Sequence, residues 1–502
     1  MKLSLLIGGC EISGITGDPD VEISSLCDDS RNISSGSLFI ALSGGSYDGH
    51  NFVDEAIKRG ACALVVEDPF VASRLSSLPA VSVVLVGDSR KVLGHIASLY
   101  YGAPSGKLKL TGITGTNGKT TTAYMLESVM SSAGLKNGLI GTIEHRYGGK
   151  VLNAANTTPG TLELQGLLSQ MVDDGITNCI MEVSSHALDQ QRVAGCTFDV
   201  AIFTNLTRDH LDYHSTMEEY GRAKGLLFLD LPRKSKTSVI NIDDPFGMEL
   251  SKKTVKSISY GVSNGDINLA NVSASEDGML LSLNTPLGGL EINSRFIGEY
   301  NIYNMMAAAG GGIASGIGLH DIKNGLEALK DVPGRLERVI LGEGQKKCRV
   351  LVDYAHTPDA LKRAIMAVRP TTTGRLITLF GCGGDRDREK RPIMGKVSTV
   401  GSDFTIITSD NPRSEDPESI IGEIEKGVID GGGKPGLSYK VTLDRRKAIR
   451  DAAEMVLDED TLLIAGKGHE DYQIIGGERL HFDDRQEVRL AFESISREGM
   501  VS

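Results

Sequence analysis

The 502-residue sequence lacks features that mark several classes of protein. Its seven cysteines, an odd number, form no C-x-x-C pair, which favours reduced thiols over a disulfide framework. A basic excess is also missing: the net charge of −12 argues against bulk nucleic-acid binding. No run approaches the ~18 apolar residues of a membrane span, and we find no repeat or low-complexity tail. We therefore expect a cytoplasmic protein without membrane insertion.

The first residues faintly imitate a lipoprotein signal, because Lys2 precedes an apolar run and Cys10. The apolar run from Leu3 to Ile7 is shorter than the ~7–15 residues of a signal's apolar region. We predict instead a short helix that packs on the first domain.

The pattern of apolar segments predicts an α/β protein. A chain of 502 residues is long enough for about three domains. Strands and helices alternate along most of the chain, which indicates mostly parallel sheets. Turn-forming residues at Pro104–Gly106 and Val332–Arg335 are candidate hinges. They divide the chain into predicted domains 1–105, 106–334 and 335–502.

The segment Leu110–Thr122 has the order expected of a phosphate-binding loop: apolar strand, glycine-rich turn, lysine and hydroxyl, then helix. Small residues let backbone N–H groups point at anionic oxygens, and the helix N-terminus adds positive potential. Five residues, one more than in the strict pattern, separate Gly112 from Gly118. A plain glycine turn is the alternative. The predicted nucleotide contacts are Gly115, Thr116, Asn117, Gly118, Lys119, Thr120 and Thr121, with Lys119 reaching the terminal phosphates and Thr120 facing Mg²⁺.

Two further strands are predicted to end in polar residues near this loop. One ends at Glu182, where a carboxylate can organise a metal ion. The other, Asp199–Leu206, leads to His210 and His214, whose H-x-x-x-H spacing lacks the additional ligands of a structural zinc site.

Lys224 lies on the apolar stripe of the next predicted helix, for which Ser215 and Glu218 form a capping-box pattern. A lysine on that face either extends its ammonium to solvent or is buried, and burial lowers its pKa. A buried Lys224 would be paired, chemically modified or catalytic.

The remaining candidates are polar residues at helix starts and strand ends. Asn301 and Asn304 cap a helix or bind a ligand. In the last domain, three apolar strands end in polar loops, which is where ligands bind in parallel sheets. These loops follow Phe380, Thr408 and Ala465, and the first of them matches a dinucleotide fingerprint only weakly.

The phosphate loop, Glu182–His186, Asn205–His214, Lys224, Asn301–Asn304 and Asp353–His356 occur together in this order. The combination resembles the Mur ligase family of ATP-dependent amino-acid ligases over essentially the whole chain. The resemblance implies a UDP-binding domain, a central P-loop ATPase domain and a C-terminal Rossmann-like domain that presents the amino acid.

The resemblance also implies roles for individual residues. The positions implied to hold the UDP-muramoyl-dipeptide are Ser30, with the region after Leu42, and Asn156, Thr157, Thr158, Ser184, Gln190 and Arg192. Those implied to contact the nucleotide are Asn301, Arg335 and Asp353. Lys224 matches a lysine that CO₂ converts to a carbamate, and two Mg²⁺ ions would be held by Thr120, Glu182, His210 and this carbamate. The catalytic residues would be Lys119, Lys224, His210 and Glu182.

The Asp410–Arg413 motif, with Gly466–Glu470, is similar to that of family members that use meso-diaminopimelate. The positions implied to bind it are Arg386, Asp410, Asn411, Pro412, Arg413, Gly466 and Glu470. The implied reaction activates the D-Glu carboxylate of UDP-N-acetylmuramoyl-L-Ala-D-Glu as an acyl phosphate at the expense of ATP. The amine of diaminopimelate then displaces phosphate, a step of peptidoglycan synthesis. We expect a monomer.

Each alternative function is disfavoured by a feature of the sequence. A lysine-adding muramyl ligase is disfavoured by Asp410–Arg413, and a folylpolyglutamate synthetase by the N-terminal domain with its Asp29–Arg31 segment. A non-catalytic scaffold would tolerate loss of Lys119, Glu182 or Lys224, and all three are present. A P-loop motor or switch has no need of the diaminopimelate motif.

Overall fold

The structure is a computed structural model that describes residues 1–44, 48–76, 81–231, 233–342 and 345–501. Contacts between residues divide it into two compact units. The first comprises Met1–Lys119, Met130–Tyr260 and Ala309–Ile317, and the second Thr120–Val129, Gly261–Ala308 and Gly318–Ser502.

The N-terminal part of the first unit is a five-stranded sheet of order β1-β5-β4-β3-β2, in which only β1 runs antiparallel to its neighbour. Its strands are β1 (Ile12–Thr16), β2 (Ser25–Cys27), β3 (Ser37–Ile40), β4 (Ala61–Val66) and β5 (Ser82–Val86). Its helices are α1 (Leu3–Leu6), α2 (Val53–Lys58), α3 (Pro69–Leu75) and α4 (Ser89–Tyr100). Helix α1 confirms the short N-terminal helix, and its Leu3 and Leu6 are buried in the core of this sheet.

The rest of the first unit is a second sheet, of order β13-β12-β11-β6-β10-β7-β8-β9. Its strands are β6 (Lys109–Thr114), β7 (Asn137–Ile140), β8 (Glu144–Tyr147), β9 (Lys150–Asn153), β10 (Asn178–Glu182), β11 (Phe198–Phe203), β12 (Arg233–Asn241) and β13 (Ser257–Gly261). The helices of this part of the chain are α5 (Lys119–Ser132), α6 (Thr161–Asp173), α7 (Ser185–Asp189), α8 (Leu211–His214), α9 (Met217–Leu229) and α10 (Pro245–Ser251).

The strands from β13 to β7 are parallel, whereas β8 and β9 form an antiparallel hairpin. Glu182 is paired with Ile113 at the adjoining ends of β10 and β6. Because β11 also runs parallel to β6, three strand ends meet beside the glycine-rich turn.

Two local predictions in this region are wrong. Helix α9 is capped by Thr216, whose hydroxyl accepts the Glu219 N–H, and not by Ser215. Ser215 instead has a positive φ of 59°, which turns the chain out of α8. Strand β11 ends at Phe203, three residues before the predicted Leu206, because Thr204 and Asn205 bond to the phosphate loop.

The second unit contains an antiparallel meander, β14 (Ile267–Ser275), β15 (Gly278–Thr285) and β16 (Gly288–Ser294), where a mostly parallel pattern was predicted. The connections between these strands are too short for the crossover that parallel strands require. Helices α11 (Glu299–Ala314) and α12 (Leu319–Ala328) follow in the chain.

The C-terminal part of the second unit is a sheet of order β17-β18-β22-β19-β20-β21, parallel except for β17. Its strands are β17 (Glu337–Arg338), β18 (Arg349–Asp353), β19 (Leu376–Phe380), β20 (Phe404–Ile407), β21 (Tyr439–Val441) and β22 (Thr461–Ala465), and β23 (Tyr472–Ile475) and β24 (Glu478–His481) form a separate hairpin. The helices are α13 (Pro358–Val368), α14 (Lys390–Gly401), α15 (Pro417–Asp430), α16 (Arg445–Met455) and α17 (Asp484–Val501). The predicted starts of α13 and α15 are confirmed by the side-chain caps Thr357 and Asp416.

Within the described residues, no helix combines the length and the apolar character that crossing a bilayer requires.

Candidate active site

The glycine-rich turn between β6 and α5 has the geometry of a phosphate-binding loop. Gly115 and Gly118 have positive φ angles of 149° and 87°. A β-carbon at Gly115 would overlap the Thr204 hydroxyl, so only glycine fits there. The Lys119 ammonium donates to the carbonyls of Gly115 and Thr116, at 2.9 Å each. The predicted order of strand, glycine-rich turn and helix is therefore confirmed, and the Lys119 ammonium lies over the turn.

Lys224 is buried, with 1% of its surface exposed, and its Nζ donates to the Gly115 carbonyl at 2.9 Å. The same nitrogen lies 4.3 Å from the ring centroid of Tyr220. Burial lowers the pKa of Lys224 well below its ordinary value, and the nearby Lys119 charge adds to this. The Lys224 side chain therefore does not extend its ammonium to solvent. Of the two predicted alternatives, the buried lysine is the one observed. Its amine is deprotonated more readily than any exposed lysine.

His210 is a second neighbour of Tyr220, with 5.9 Å between ring centroids. Its φ of 53° places it in the left-handed region, and its ring is 4.9 Å from that of His186. Partial desolvation lowers the pKa of His210, and Asp209 opposes the shift. A neutral imidazole is the form that can act as a metal ligand.

Glu182 is fully buried at the end of β10, and its carboxylate is held by Thr142. One oxygen accepts the Thr142 N–H at 2.9 Å and the other the Thr142 hydroxyl at 3.0 Å. Gly141 allows this approach, because a β-carbon there would lie 2.5 Å from Glu182 Oε1. The carboxylate is thus fixed at the strand end, as predicted.

Several of the residues predicted to hold the dipeptide are joined by hydrogen bonds beside Glu182. The Thr158 hydroxyl donates to the Glu182 carbonyl and accepts the Ser184 N–H. Arg192 donates to the Thr158 carbonyl at 3.0 Å and to Gln190 Oε1 at 2.7 Å. Thr157 is linked through Thr142, whereas Asn156 is exposed and Ser30 is buried in the turn Ser30–Asn32 of the N-terminal part. The predicted region after Leu42 includes residues 45–47, which lie outside the described residues.

In the second unit, the Asn301 and Asn304 amides form a buried chain. Asn304 Nδ2 donates to Asn301 Oδ1 at 2.9 Å, and Asn304 Oδ1 is 3.4 Å from the Thr122 hydroxyl. Asn301 donates to the Ile297 carbonyl. Both residues lie inside α11, which begins at Glu299, so neither is its N-cap.

The segment at Arg335 lies against Asp353, the last residue of β18. The Arg335 guanidinium is 4.8 Å from the Tyr354 ring centroid, and its Nη2 is 3.3 Å from the Thr120 hydroxyl. Asp353 accepts the N–H groups of Leu336 and Ala355. Burial raises the pKa of Asp353 to about 6, while Arg335 and the two N–H groups oppose the shift.

The loops after β20 and β22 bring together the residues predicted to bind diaminopimelate. The Asn411 amide donates to Glu470 at 2.9 Å, and Gly466 lies so close to Asp410 that a β-carbon would be 2.7 Å from its Oδ2. Burial raises the pKa of Glu470. Pro412 is buried in the same loop.

Arg413 and Arg386 extend from two neighbouring loops. Arg413 has a φ of 53°, and its Nη1 donates to the Gly384 carbonyl at 2.6 Å. Arg386 is exposed and donates to the Asp385 carbonyl. A β-carbon at position 383 would lie 2.9 Å from Arg413 Nη1. Gly383 therefore leaves room for the guanidinium.

The Glu182 carboxylate supplies the oxygen atoms that Mg²⁺ prefers, and a neutral His210 imidazole supplies a nitrogen ligand. The described residues contain no ready cluster of three or more His, Cys, Asp or Glu side chains that could hold a metal. An amine as buried as Lys224 would become an anionic oxygen ligand only after modification.

Sequence reasoning did not identify Thr142, Tyr220 or Lys467 as parts of these groups. Each forms a hydrogen bond with a predicted residue that is at least 40 positions away in the chain. Lys467 could have been predicted, because it lies between Gly466 and Gly468 in a loop that the sequence already indicated as part of the amino-acid site.

Comparison with known proteins gives matches along nearly the whole chain. Residues 22–101 match the Mur ligase family catalytic domain, residues 113–311 the Mur ligase middle domain and residues 334–468 the Mur ligase glutamate ligase domain. The UDP-N-acetylmuramoyl-L-alanyl-D-glutamate–2,6-diaminopimelate ligase of Geobacter metallireducens is 46% identical, over 99% of this chain and all of the relative. The ligase of the same name from Geobacillus kaustophilus is 46% identical over 95% of each chain. A solved structure of a ligase of this name superposes with a TM-score of 0.71, at 30% identity and 99% coverage of both chains.

Proposed function

The chain belongs to the Mur ligase family, and on that premise we propose that it is an ATP-dependent ligase of peptidoglycan synthesis that adds meso-diaminopimelate to UDP-N-acetylmuramoyl-L-Ala-D-Glu. The observation that carries the proposal is the near-complete match to ligases of that name together with the Asp410–Arg413 loop at the amino-acid pocket.

The reaction begins with the substrate's D-Glu γ-carboxylate, which is a poor acylating agent. One of its oxygens attacks the γ-phosphorus of ATP, ADP leaves, and an acyl phosphate forms. Lys119, held over the glycine-rich turn, offsets the repulsion between the two anions. The amine of diaminopimelate then attacks the acyl carbon, loses a proton and expels phosphate, which leaves an amide.

Two Mg²⁺ ions would supply charge neutralisation at the transferred phosphoryl group. We assign them to Thr120, Glu182, His210 and a carbamate on Lys224. The assignment is supported by the fixed Glu182 carboxylate and by the lowered pKa of Lys224. A neutral amine has the lone pair that attacks the carbon of CO₂; the nitrogen then loses a proton, and an anionic carbamate results.

We further propose that the ATP and dipeptide contacts are those predicted from the sequence, within domains 1–105, 106–334 and 335–502. The groups around Asn301, Arg335 and Asp353, and around Thr158 and Arg192, support these assignments by their mutual hydrogen bonds. We propose a cytoplasmic monomer that binds no nucleic acid, as the acidic composition favours.

Selectivity for diaminopimelate over lysine is assigned to Arg413. The two amino acids differ by one carboxylate at the far end, which a guanidinium binds through paired, charge-assisted hydrogen bonds. Lysine would place an ammonium there without a carboxylate, and the like charges would repel.

The test is phosphate release with ATP, Mg²⁺ and UDP-N-acetylmuramoyl-L-Ala-D-Glu, comparing meso-diaminopimelate with L-lysine. We expect release only with diaminopimelate and a product of matching mass. Equal use of lysine would overturn the role of Arg413, and no release with either would overturn the function.

The carbamate has a separate readout. Incubation with ¹³C-labelled bicarbonate should give a carbamate ¹³C resonance that Lys224→Met lacks, while the exposed-surface variant Lys253→Met retains it. A resonance that persists in Lys224→Met would contradict the assignment.

A further inference from the structure

A lysine without an assigned role lies among the residues assigned to diaminopimelate. Lys467 is fully buried, although the residues on either side of it are in a turn that follows β22. Gly466 and Gly468 have φ angles of 113° and 55°, which turn the backbone twice. These turns direct the lysine side chain inward instead of to solvent.

The Lys467 ammonium has three acidic or amide neighbours. Its Nζ donates to Asn411 Oδ1 and to Glu470 Oε2, at 3.2 Å each, and lies 3.6 Å from Asp410 Oδ1. A buried ammonium is stable only with such partners, and the two carboxylates in turn need a counterion.

These contacts determine which way the Asn411 amide points. Its Oδ1 accepts from Lys467 and from the Ile474 N–H at 3.0 Å, and its Nδ2 donates to Glu470. The reversed amide would place NH₂ against an ammonium and an N–H group. The orientation is therefore fixed by Lys467 and Ile474 together.

One carboxylate oxygen in this cluster, Asp410 Oδ1, can accept a further hydrogen bond. Asp410 is 5% exposed, and its Oδ1 has no hydrogen-bond partner among the described residues; Lys467 is 3.6 Å away. A buried carboxylate oxygen of this kind is suited to an incoming ammonium group.

We propose that Lys467 is a positioning residue of the amino-acid pocket: its buried ammonium holds Asn411 and Glu470 in the arrangement that receives the zwitterionic amino-acid substrate. The inference rests on the proposed function. Lys467 does not touch the reacting atoms; it acts through the two side chains that it holds and by balancing the charge of Asp410 and Glu470. Without it, two buried carboxylates would face each other, and the Glu470 carboxylate would lose one of its donors.

The test compares Lys467→Met, which keeps the length of the side chain without the charge, with Lys467→Gln, which keeps a donor. We expect Lys467→Met to raise the KM for meso-diaminopimelate at least tenfold and to leave the KM for ATP within twofold. Lys467→Gln should lie between wild type and Lys467→Met. Calorimetric titration of meso-diaminopimelate into each variant should give the same order of Kd.

Lys346→Met is a matched control. The Lys346 ammonium also has three acceptors, the carbonyls of Ala453, Glu454 and Val456, but it lies at the end of α16. This variant should lower the melting temperature without changing the KM for diaminopimelate.

A folded Lys467 variant with an unchanged KM for diaminopimelate would overturn the proposal, and so would an equal rise in the KM for ATP. If Lys467→Met does not fold, the Lys467→Gln values decide. Failure of the proposed function is recognised separately, because wild-type protein would then form no product with diaminopimelate.

Discussion

At the scale of single residues, Arg391 and Glu415 hold the loop that carries Arg386. Arg391 is fully buried and donates to both oxygens of Glu415, and Glu415 also accepts the Asp385 N–H at 2.6 Å. The hydrogen bonds from Arg391 lower the pKa of Glu415 to about 2.

This pKa predicts a pH-dependent stability. A carboxylate with a lowered folded-state pKa contributes stability above its unfolded pKa, and the contribution is lost as pH falls toward the folded value. Glu415→Gln should therefore lower the melting temperature at pH 7, and the difference from wild type should shrink between about pH 4.5 and pH 2. The exposed Glu493→Gln should show no such trend. A difference that stays constant with pH would contradict this account.

Arg413 gives a second prediction at this scale. Arg413→Ala removes the guanidinium assigned to the far carboxylate of diaminopimelate, and hydrogen bonds to charged groups are worth about 1.5–3 kcal/mol. The KM for diaminopimelate should rise about 10- to 100-fold while the KM for ATP is unchanged, as measured by steady-state kinetics. Arg479→Ala, an exposed arginine on β24, is the control. An unchanged KM for diaminopimelate would remove Arg413 from the pocket.

At the scale of elements, the start of α9 distinguishes two adjacent hydroxyls. Thr216→Ala removes the hydrogen bond to the Glu219 N–H and should destabilise the protein by about 1 kcal/mol in denaturant unfolding. Ser215→Ala should change stability by less than about 0.5 kcal/mol, because Ser215 precedes the cap. A larger loss of stability in Ser215→Ala than in Thr216→Ala would indicate that Ser215 is the cap.

The same helix shows what sequence can and cannot determine. Ser215 and Thr216 are each followed three residues later by glutamate, so the local pattern was equally good for both. The choice depends on where α8 ends. In contrast, β10 and the starts of α13 and α15 were predicted correctly, because an apolar run or a Thr-Pro or Asp-Pro pair specifies them locally.

Side-chain environments that depend on distant segments were harder to predict. The stripe of α9 indicated that Lys224 was unusual, but its burial follows from packing against the Gly115 turn. The Lys467 cluster joins residues from two loops and strand β23, and no spacing rule links them. The antiparallel meander β14–β16 was also missed, since alternating strands were assumed to continue the parallel pattern.

At the scale of the whole molecule, three substrates assigned to three domains predict a change in shape on binding. The hinge candidates are the turn Pro104–Gly106 and the segment near Pro333, where Gly334 has a φ of 66°. X-ray scattering should give a smaller radius of gyration when a non-hydrolysable ATP analogue and UDP-N-acetylmuramoyl-L-Ala-D-Glu are both present. Lys119→Ala, which removes the ammonium assigned to the ATP phosphates, should reduce the change. An identical scattering curve with and without ligands would contradict domain closure.

The turn at Arg335 has a practical consequence for optical spectroscopy. The chain contains no tryptophan, so its ultraviolet emission comes from tyrosine alone. The Tyr354 ring centroid lies 4.8 Å from the Arg335 guanidinium and 5.0 Å from the His469 ring centroid. An indole introduced there as Tyr354→Trp would be the sole long-wavelength fluorophore of the protein. Because the neighbouring Arg335 is among the residues assigned to the nucleotide, the emission of this indole is expected to change when ATP is added, with no dye and no coupled enzyme.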